Sequence, residues 1–477
     1  MRPARAPVAT SPPEVIAVDA APPPPSAASP IAERLADHVA AALATPLPEA
    51  VVEKAKAHIL DTFAAMLSGG RLKVGRLATA FAESQGGIEE ATLIGSPRRV
   101  PAVVAALANG MAAHADETDD SHLGGRFHPG CGILPAAFAV AEARGASGAD
   151  LLRAVVLGYD VGARAVMSLG FARPDTARHS SHSLGPLFGA TAAAAALCRL
   201  DRRGVRHAFS YAAQQASGIP FWQRDREHVE KAFDFAGMPA RNAVTAATMV
   251  AAGFSAVDDP FDGRHNLFTA FGENPDPRIL VAGLGERFEI LQAAIKKWCV
   301  GSPLQSVLDA TTALVAEHGV RAADVAEIVV TLPDDRIHIV DDRTMPSVCA
   351  QHLVAIAVLD RTVSFDGAHD VARMADPAVV ALRRRIRLVP SAELTAAKPA
   401  RQSIVEIATT AGAVLRRHAV AVRGTPDNPM TAAEVEAKAL DLVAPIIGDE
   451  RATALVAAIR DIEALATMDG LGALLRA

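Results

Sequence analysis

The chain has 477 residues and a formal net charge of −6; half of its residues are hydrophobic, and only 4% are aromatic. This composition is too apolar for a disordered chain, and the mild negative charge argues against nucleic-acid binding through a broad basic surface. The four cysteines lack metal-ligand spacing, so we expect free thiols in a reducing cytoplasm. No apolar run reaches the roughly 18 residues of a membrane-spanning helix, and we expect no membrane partner.

The first part of the chain has the apolar spacing of helices. Residues 1–30 contain nine of the 31 prolines, which predicts a disordered tail. From 31 to 284, apolar side chains recur every three or four residues, so we predict an all-α domain. The predicted helices are 51–70, 101–115, 135–145, 149–168, 185–199, 204–216 and 238–253. The segment from Thr191 to Leu197 is apolar on nearly all sides, so we expect it in the core or in a subunit interface.

The pattern changes near Arg287, where apolar and polar residues begin to alternate as they do in half-buried strands. The segments with strand signals are 326–332, 386–389, and a predicted hairpin of 403–410 and 413–423 that turns at Gly412. We therefore predict a smaller α+β domain at 285–424.

The last segment, 425–477, is rich in alanine and leucine like the first half of the chain. A capping box of Thr431 and Glu434 opens it, which predicts a helix start. We expect these helices to return to the helical domain. The predicted fold class is thus mainly α, with a large all-α helical domain and a smaller α+β domain.

Histidines carry the most information about chemistry. The chain has 15, and five of them fall within 69 residues. These five are His114, His122, His128, His179 and His182. The segment from His114 to His122 also holds four carboxylates in five positions, and because like charges repel one another in a helix we predict a loop there.

Three interpretations of this acidic segment compete. The first is a solvated acidic loop with incidental histidines. The second is a metal site, because carboxylates and imidazoles are ligand types; the candidate ligands are Asp119, Asp120, His122 and His128. The third is a site in which imidazoles and carboxylates tune one another for proton transfer near neutral pH. The absence of HExxH, G-x-S-x-G, P-loop and G-x-G-x-x-G motifs disfavours the commoner hydrolase, nucleotide and dinucleotide functions.

A series of motifs along the chain occurs in a characteristic order. These are Ala108-Asn109-Gly110, the segment His114 to His122, His128-Pro129-Gly130, the segment His179 to Gly185, Lys231, Lys296-Lys297-Trp298-Cys299, and Asn428-Pro429-Met430-Thr431. Together they resemble the MmgE/PrpD family, which contains 2-methylcitrate dehydratase, cis-aconitate decarboxylase and iminodisuccinate epimerase. The resemblance covers about residues 31–475. It implies a helical domain with an α+β lid, a homodimer, and no cofactor or metal.

The resemblance also implies roles for individual side chains. The implied catalytic residues are His128, His179, Glu117, Ser121 and Lys231. The implied substrate-binding residues are Lys296, His352, His122, His182 and Gln305. His128 and His179 are the expected acid/base pair, with His182 as an alternative to His179. Glu117 is expected to hold an imidazole in the useful tautomer and raise its pKa.

The resemblance implies a cofactor-independent lyase or isomerase that removes a proton next to a carboxylate of a small polycarboxylic acid. Lys231, Lys296 and protonated histidines would then stabilise the developing negative charge in a water-poor cleft. Dehydration like that of 2-methylcitrate dehydratase is the first expectation, and decarboxylation and epimerisation are the alternatives. Gln305 and His352 replace a histidine and a tyrosine of the family, which indicates a substrate other than methylcitrate. A catalytically inactive scaffold and a metallohydrolase are alternatives of other classes.

Overall fold

A computed structural model describes residues 28–171 and 178–477 of the chain. Residues 1–27 of the predicted disordered tail lie outside the described residues. The mainly α class is confirmed, since helices make up most of the described chain and strands are few. In this part of the chain, no helix is both long and apolar enough to cross a bilayer.

The first part of the described chain is helical. Its helices are α1 (Pro30–Ala41), α2 (Glu49–Gly70), α3 (Lys73–Gln85), α4 (Ala102–Ala113), α5 (Pro129–Arg144), α6 (Gly148–Ser168), α7 (Ser181–Leu197), α8 (Arg202–Gln214), α9 (Val229–Ala232), α10 (Met238–Ala251) and α11 (Leu267–Phe271). The predicted helices agree with these to within a few residues, except that α5 begins six residues earlier than predicted. Pro129 suits the first helical position, since its fixed φ favours the helix and its missing N–H would be unpaired there.

Helix α7 lies at the centre of this helical body, and its apolar segment from Thr191 to Leu197 is buried within the chain itself. It packs closely on α6. A Cβ added at Gly158 of α6 would lie 3.1 Å from the carbonyl oxygen of Gly189 in α7, and one added at Gly189 would lie 2.4 Å from that of Gly158. The two glycines therefore let the helices approach more closely than larger residues would allow.

The second part of the described chain contains a four-stranded sheet. Its strands are β5 (Val325–Pro333), β6 (Ile386–Ser391), β7 (Ser403–Thr409) and β8 (Val414–Ala419), while two-residue strands elsewhere are β1 (Ala91–Thr92), β2 (Arg99–Val100), β3 (Ser121–His122) and β4 (Ala293–Ala294). The order is β6-β5-β7-β8, with β5 and β6 parallel and the other pairs antiparallel. The predicted hairpin is confirmed, and Gly412 supplies its left-handed turn residue with φ +86°.

Helices pack against this sheet around a separate hydrophobic core. They are α12 (Gln305–His318), α13 (Ile337–Val340), α14 (Ala350–Leu359), α15 (Phe365–His369), α16 (Pro377–Arg383) and α17 (Ala392–Ala396). We refer to residues 298–424 as the lid. The last helices, α18 (Ala432–Ile447), α19 (Asp449–Arg460) and α20 (Asp469–Leu475), pack on the helical body, and their apolar side chains belong to its core.

A short ladder joins the acidic loop to the chain entering the lid. Ser121 and His122 of β3 pair antiparallel with Ala294 and Ala293 of β4. This pairing brings Lys296, two residues after β4, beside the loop between α4 and α5. The lid then begins next to the acidic loop, and a cavity forms between the lid and the helical body.

Candidate active site

The acidic loop between α4 and α5 is buried. Its carboxylates Asp116, Glu117, Asp119 and Asp120 have at most 3% of their surface exposed. The loop is confirmed, but the interpretation of it as solvated is wrong. Buried carboxylates are stable only when charges or hydrogen bonds compensate for the lost hydration, and each of these four has specific partners.

Glu117 lies between two lysines. Its carboxylate forms ion pairs with Lys231 Nζ and, at 3.4 Å, with Lys296 Nζ, which also donates to the Glu117 carbonyl oxygen at 2.8 Å. Burial alone would raise the pKa of Glu117, but the two ammonium groups outweigh burial and hold that pKa well below its usual value. Glu117 also has a left-handed backbone, with φ +62°. The glutamate is therefore ionised and fixes both lysines at this end of the cavity.

Asp119 orients two imidazoles. Its Oδ2 atom lies 2.8 Å from His114 Nδ1 and 3.3 Å from His128 Nδ1. Burial would raise the pKa of Asp119, but His114, His128 and Lys296 together hold it well below its usual value. Glu117, which was expected to hold a catalytic imidazole, is paired with the two lysines and lies 3.7 Å from His228 Nε2. The carboxylate beside His128 is that of Asp119.

Asp120 fixes the start of α5 and hence the position of His128. Its Oδ2 atom accepts a hydrogen bond from the Tyr159 hydroxyl at 2.6 Å and contacts His58 Nδ1 at 2.8 Å. Its Oδ1 atom accepts from the backbone N–H of Gly130 at 2.9 Å. Because His128 immediately precedes α5, these bonds hold its backbone against the helical body.

Lys438 of α18 supports the same loop from the opposite direction. Its Nζ atom lies 2.6 Å from Asp61 Oδ1, 2.7 Å from the Lys296 carbonyl oxygen and 3.2 Å from the Thr118 carbonyl oxygen. Only 7% of the Lys438 side chain is exposed. One buried ammonium group thus joins the C-terminal helices to both segments that carry charged site residues.

The cavity has a volume of about 280 Å³ and is lined by both the helical body and the lid. Five of the predicted catalytic residues line it, namely Glu117, Ser121, His128, His179 and Lys231. Phe235 forms part of one wall, with Lys231 Nζ 5.2 Å from its ring centroid. The structure thus places carboxylate, hydroxyl, imidazole and ammonium groups around one cavity.

His182, rather than His179, lies beside His128. The His182 ring stacks on Phe235 with a centroid distance of 4.0 Å, and its centroid is 5.4 Å from that of His128. Burial and the charges of His128 and Lys231 hold the pKa of His182 well below its usual value. His179 also lines the cavity, but it is half-buried and packs edge-on against Phe271. His182 is therefore the better placed partner of His128.

Four predicted substrate-binding residues do not line the cavity. Lys296 lies behind Glu117. The Gln305 amide bonds to the backbone of Trp298 and Val300 at the start of the lid. His122 Nδ1 accepts from the backbone N–H of Gly125, and its Nε2 faces Glu289 at 3.3 Å. His352 is buried in the lid core. Apart from Lys296, these side chains hold the structure in place around the site.

Several residues of the site were not predicted from the sequence. Arg336 and Arg401 of the lid line the cavity, and His228 Nε2 bonds to the His114 carbonyl oxygen at 2.9 Å. Asp119 was named only as a candidate metal ligand and His114 only as one of five clustered histidines, because the density of the acidic segment was the available signal. The two lid arginines had no such signal, because each is a single basic residue in a loop more than 200 residues from that segment.

Among the residues that the structure describes, two sets of side chains could hold a metal ion. The ligand atoms of His114, Asp119 and His128 lie within 4.8 Å of one another, and so do those of His114, Glu117 and His228. In the structure, the carboxylate of Asp119 lies beside two imidazoles and that of Glu117 is paired with lysines. The same atoms therefore suit an acid/base network.

Comparison with known proteins places the chain in a family. Residues 33–280 match the family model of the MmgE/PrpD N-terminal domain, and residues 298–463 match that of the MmgE/PrpD C-terminal domain. The chain belongs to the MmgE/PrpD family. The two matched regions correspond to the helical body and to the lid with part of the C-terminal helices, and the cavity lies between them.

Curated relatives of this MmgE/PrpD chain carry decarboxylase names. The cis-aconitate decarboxylase-like protein oryM of Aspergillus oryzae is 30% identical over 275 residues, which is 54% of this chain and 55% of that protein. Human cis-aconitate decarboxylase is 27% identical over 304 residues, or 60% and 61%. The Aspergillus terreus enzyme is 29% identical over 285 residues, or 55% and 56%. The chain spans about half the length of the curated relatives it matches.

Proposed function

We propose that this protein is a lyase that acts on a small polycarboxylic acid at a carbon next to a carboxylate, and that its reaction is a decarboxylation of a cis-aconitate-like acid. The observation that carries the proposal is the arrangement of Glu117, Lys231 and His128 around one cavity, with Asp119 beside the His128 ring. The decarboxylase names of the relatives support decarboxylation over the dehydration that was the first expectation.

The chemical difficulty of such a reaction is the electron pair left on carbon. When a C–C bond to a carboxylate breaks and carbon dioxide leaves, that pair stays on the remaining carbon skeleton. A double bond and a neighbouring carboxylate delocalise it, so the negative charge grows on carboxylate oxygens. Lys231 lines the cavity and is held by Glu117 before the substrate arrives, so its charge is already positioned to stabilise those oxygens.

The carbanion must then take up a proton. His128 lines the cavity, and the carboxylate of Asp119 beside its Nδ1 atom favours a proton on that nitrogen. The Nε2 atom is then the one that exchanges a proton with substrate. Burial holds the pKa of neighbouring His182 well below its usual value, so the ring beside His128 is uncharged at pH 7. Positioned acid/base groups of this kind contribute typically ~100- to 10,000-fold in rate.

Purified protein incubated with cis-aconitate tests the proposal. We expect release of carbon dioxide and a dicarboxylic product that, in heavy water, carries deuterium at the carbon that was protonated. 2-Methylcitrate and iminodisuccinate serve as parallel substrates. Loss of water from 2-methylcitrate without carbon dioxide release from cis-aconitate would assign dehydration instead, and epimerisation of iminodisuccinate would assign the third reaction.

Metal analysis and chelation test the alternative class. We expect activity to survive dialysis against a chelator, because the carboxylate of Glu117 is paired with lysines and that of Asp119 lies beside the imidazoles of His114 and His128. Stoichiometric zinc or iron together with loss of activity on chelation would favour a metallohydrolase. Absence of turnover with every acid tested would favour a scaffold that has kept the fold alone.

A further inference from the structure

Two arginines of the lid reach the cavity from different loops. Arg336 follows β5, and Arg401 lies in the loop between α17 and β7. Arg401 Nη1 donates to the Ser121 hydroxyl at 3.3 Å, so its guanidinium crosses from the lid to the acidic loop of the helical body. Both arginines therefore lie at the junction where a substrate would contact both parts of the molecule.

Within the part of the chain that the structure describes, no carboxylate forms an ion pair with Arg401. Burial and the charge of Arg336 lower the pKa of Arg401 to about 9. Among residues 28–171 and 178–477, the buried Nε atom of Arg401 has no hydrogen-bond partner. In the same residues, the contact of Arg336 with a carboxylate is a long one, 3.8 Å to Asp335. Two like charges held together out of water are unfavourable unless an anion joins them.

A further hydrogen-bond donor at the cavity is the indole of Trp222. Within the described residues, Trp222 Nε1 is buried without a partner, and the indole N–H can only donate. A guanidinium likewise has no acceptor atom. By contrast, the carboxylates of Glu117 and Asp119 already lie beside lysines or histidines of the protein. The unpaired indole and guanidinium donors therefore favour the binding of an anion with several acceptor oxygens.

We propose that Arg401 and Arg336 bind a carboxylate of the substrate remote from the reacting carbon and thereby select polycarboxylic acids. This inference rests on the proposed function, because it assigns the two arginines to the substrate of that same cavity. A planar guanidinium binds a carboxylate through two parallel hydrogen bonds, which fixes orientation as well as position. The remote carboxylate bound at the lid then holds the reacting end against Lys231 and His128.

Direct binding of a non-reacting acid tests the assignment. Propane-1,2,3-tricarboxylate lacks the double bond, and its Kd can be measured by calorimetry for the wild type and the variants Arg401→Gln and Arg336→Gln. We expect the Kd to rise about 10- to 100-fold in each, and Arg401→Lys to recover part of the loss since it keeps the charge but not the paired hydrogen bonds. Arg416→Gln is the matched control, because Arg416 lies on β8 with more than half of its side chain exposed.

The outcomes separate this inference from the proposed function. If both variants melt like the wild type and bind the tricarboxylate within twofold of it, the assignment of the arginines is wrong, even if cis-aconitate is turned over. If the variants bind weakly but the wild type decarboxylates no acid, the arginine site stands and the proposed function fails. A wild type that binds no tricarboxylate overturns the assignment of the arginines, and release of carbon dioxide from cis-aconitate then decides the proposed function separately. If Arg401→Gln does not fold, Arg336→Gln decides.

Discussion

The two sides of the cavity balance their charges differently. On the body side, Glu117 and Asp119 are each paired with lysines or histidines of the protein itself. On the lid side, Arg336 and Arg401 lie near each other, and burial and mutual repulsion lower the pKa of Arg401. A balanced network keeps its geometry without a ligand, as acid/base catalysis needs. Two unpaired positive charges are stabilised most when an anion binds between them, which suits substrate recognition.

The largest expected effect comes from breaking the balance on the body side. Glu117→Gln keeps the shape of the side chain but leaves Lys231 and Lys296 without their shared carboxylate. We expect kcat/KM for the acid substrate to fall about 100- to 1,000-fold, because the developing charge loses its positioned donors. Steady-state kinetics measures this. Glu230→Gln is the control, since Glu230 is an exposed residue of the adjacent α9, and equal activity of the two variants would contradict the role of Glu117.

The next effect separates two histidines on the same wall. His182→Asn removes the ring stacked on Phe235 beside His128, whereas His179→Asn removes a half-buried ring that packs on Phe271. We expect kcat to fall about 100-fold in the first and less than about tenfold in the second. Measuring kcat for both variants decides between them. The reverse order would return His179 to the catalytic role implied by the family resemblance.

A third variant removes the support behind the body side. Lys438→Met leaves Asp61 buried without its ammonium partner, and we expect the free energy of unfolding to fall by about 3 kcal/mol. Burial, opposed by Lys438, raises the pKa of Asp61 to about 6 in the folded state. A raised carboxyl pKa favours the folded state at low pH and loses that contribution as pH rises through 6. The defect should therefore be larger at pH 8 than at pH 5.

Denaturant titrations at both pH values measure this defect. The control is Lys73→Met, because Lys73 forms an ion pair on the surface with 54% of its side chain exposed and should change stability by less than about 1 kcal/mol. A Lys438→Met protein as stable as this control would show that the contacts to Asp61, Thr118 and Lys296 contribute little.

The smallest expected effect lies in the lid core, away from the cavity. His352 is fully buried, and in the described part of the chain neither of its ring nitrogens has a hydrogen-bond partner. Burial and the charges of Arg383 and Arg373 lower its pKa to about 4. Because the folded pKa lies below the unfolded one, stability is present above pH 6.5 and falls as pH drops towards 4. His352→Leu should remove that part of the acid sensitivity.

Thermal melts of His352→Leu and wild type between pH 7 and pH 5 test this expectation. The difference in Tm between these pH values should be smaller in the variant, while kcat at pH 7 changes little. A large loss of activity would instead indicate that His352 acts on substrate, as the sequence comparison with the family suggested.

Local patterns predicted the secondary structure well. The alternation in 326–332 became β5, Gly412 turns the hairpin, and the acidic segment is a loop. These features depend on side chains a few residues apart, so they can be read from one stretch of sequence. The start of α5 was missed because its defining contact, Asp120 with the Gly130 N–H, is made by a loop residue that also needs His58 and Tyr159.

The candidate site could be predicted only in part. His128, Glu117 and Lys231 were identified by motif, and they meet in the cavity. The partners of each carboxylate could not be predicted, because a carboxylate pairs with whichever cation the packed chain brings near it. Glu117 was expected to hold an imidazole, yet the ladder of β3 and β4 places Lys296 beside it and leaves that role to Asp119.

The sequence by itself determined the helical body, the strands of the lid and the concentration of acid/base residues in one loop, because apolar spacing and local charge are properties of neighbouring residues. Only the tertiary structure decided which charges are balanced and which are not. Arg336 and Arg401 have no distinguishing sequence signal, and only the packing of the lid against the helical body brings them to the cavity. Electrostatic balance is a property of distances in space, and those distances join Glu117 to lysines that lie 114 and 179 positions away in the chain.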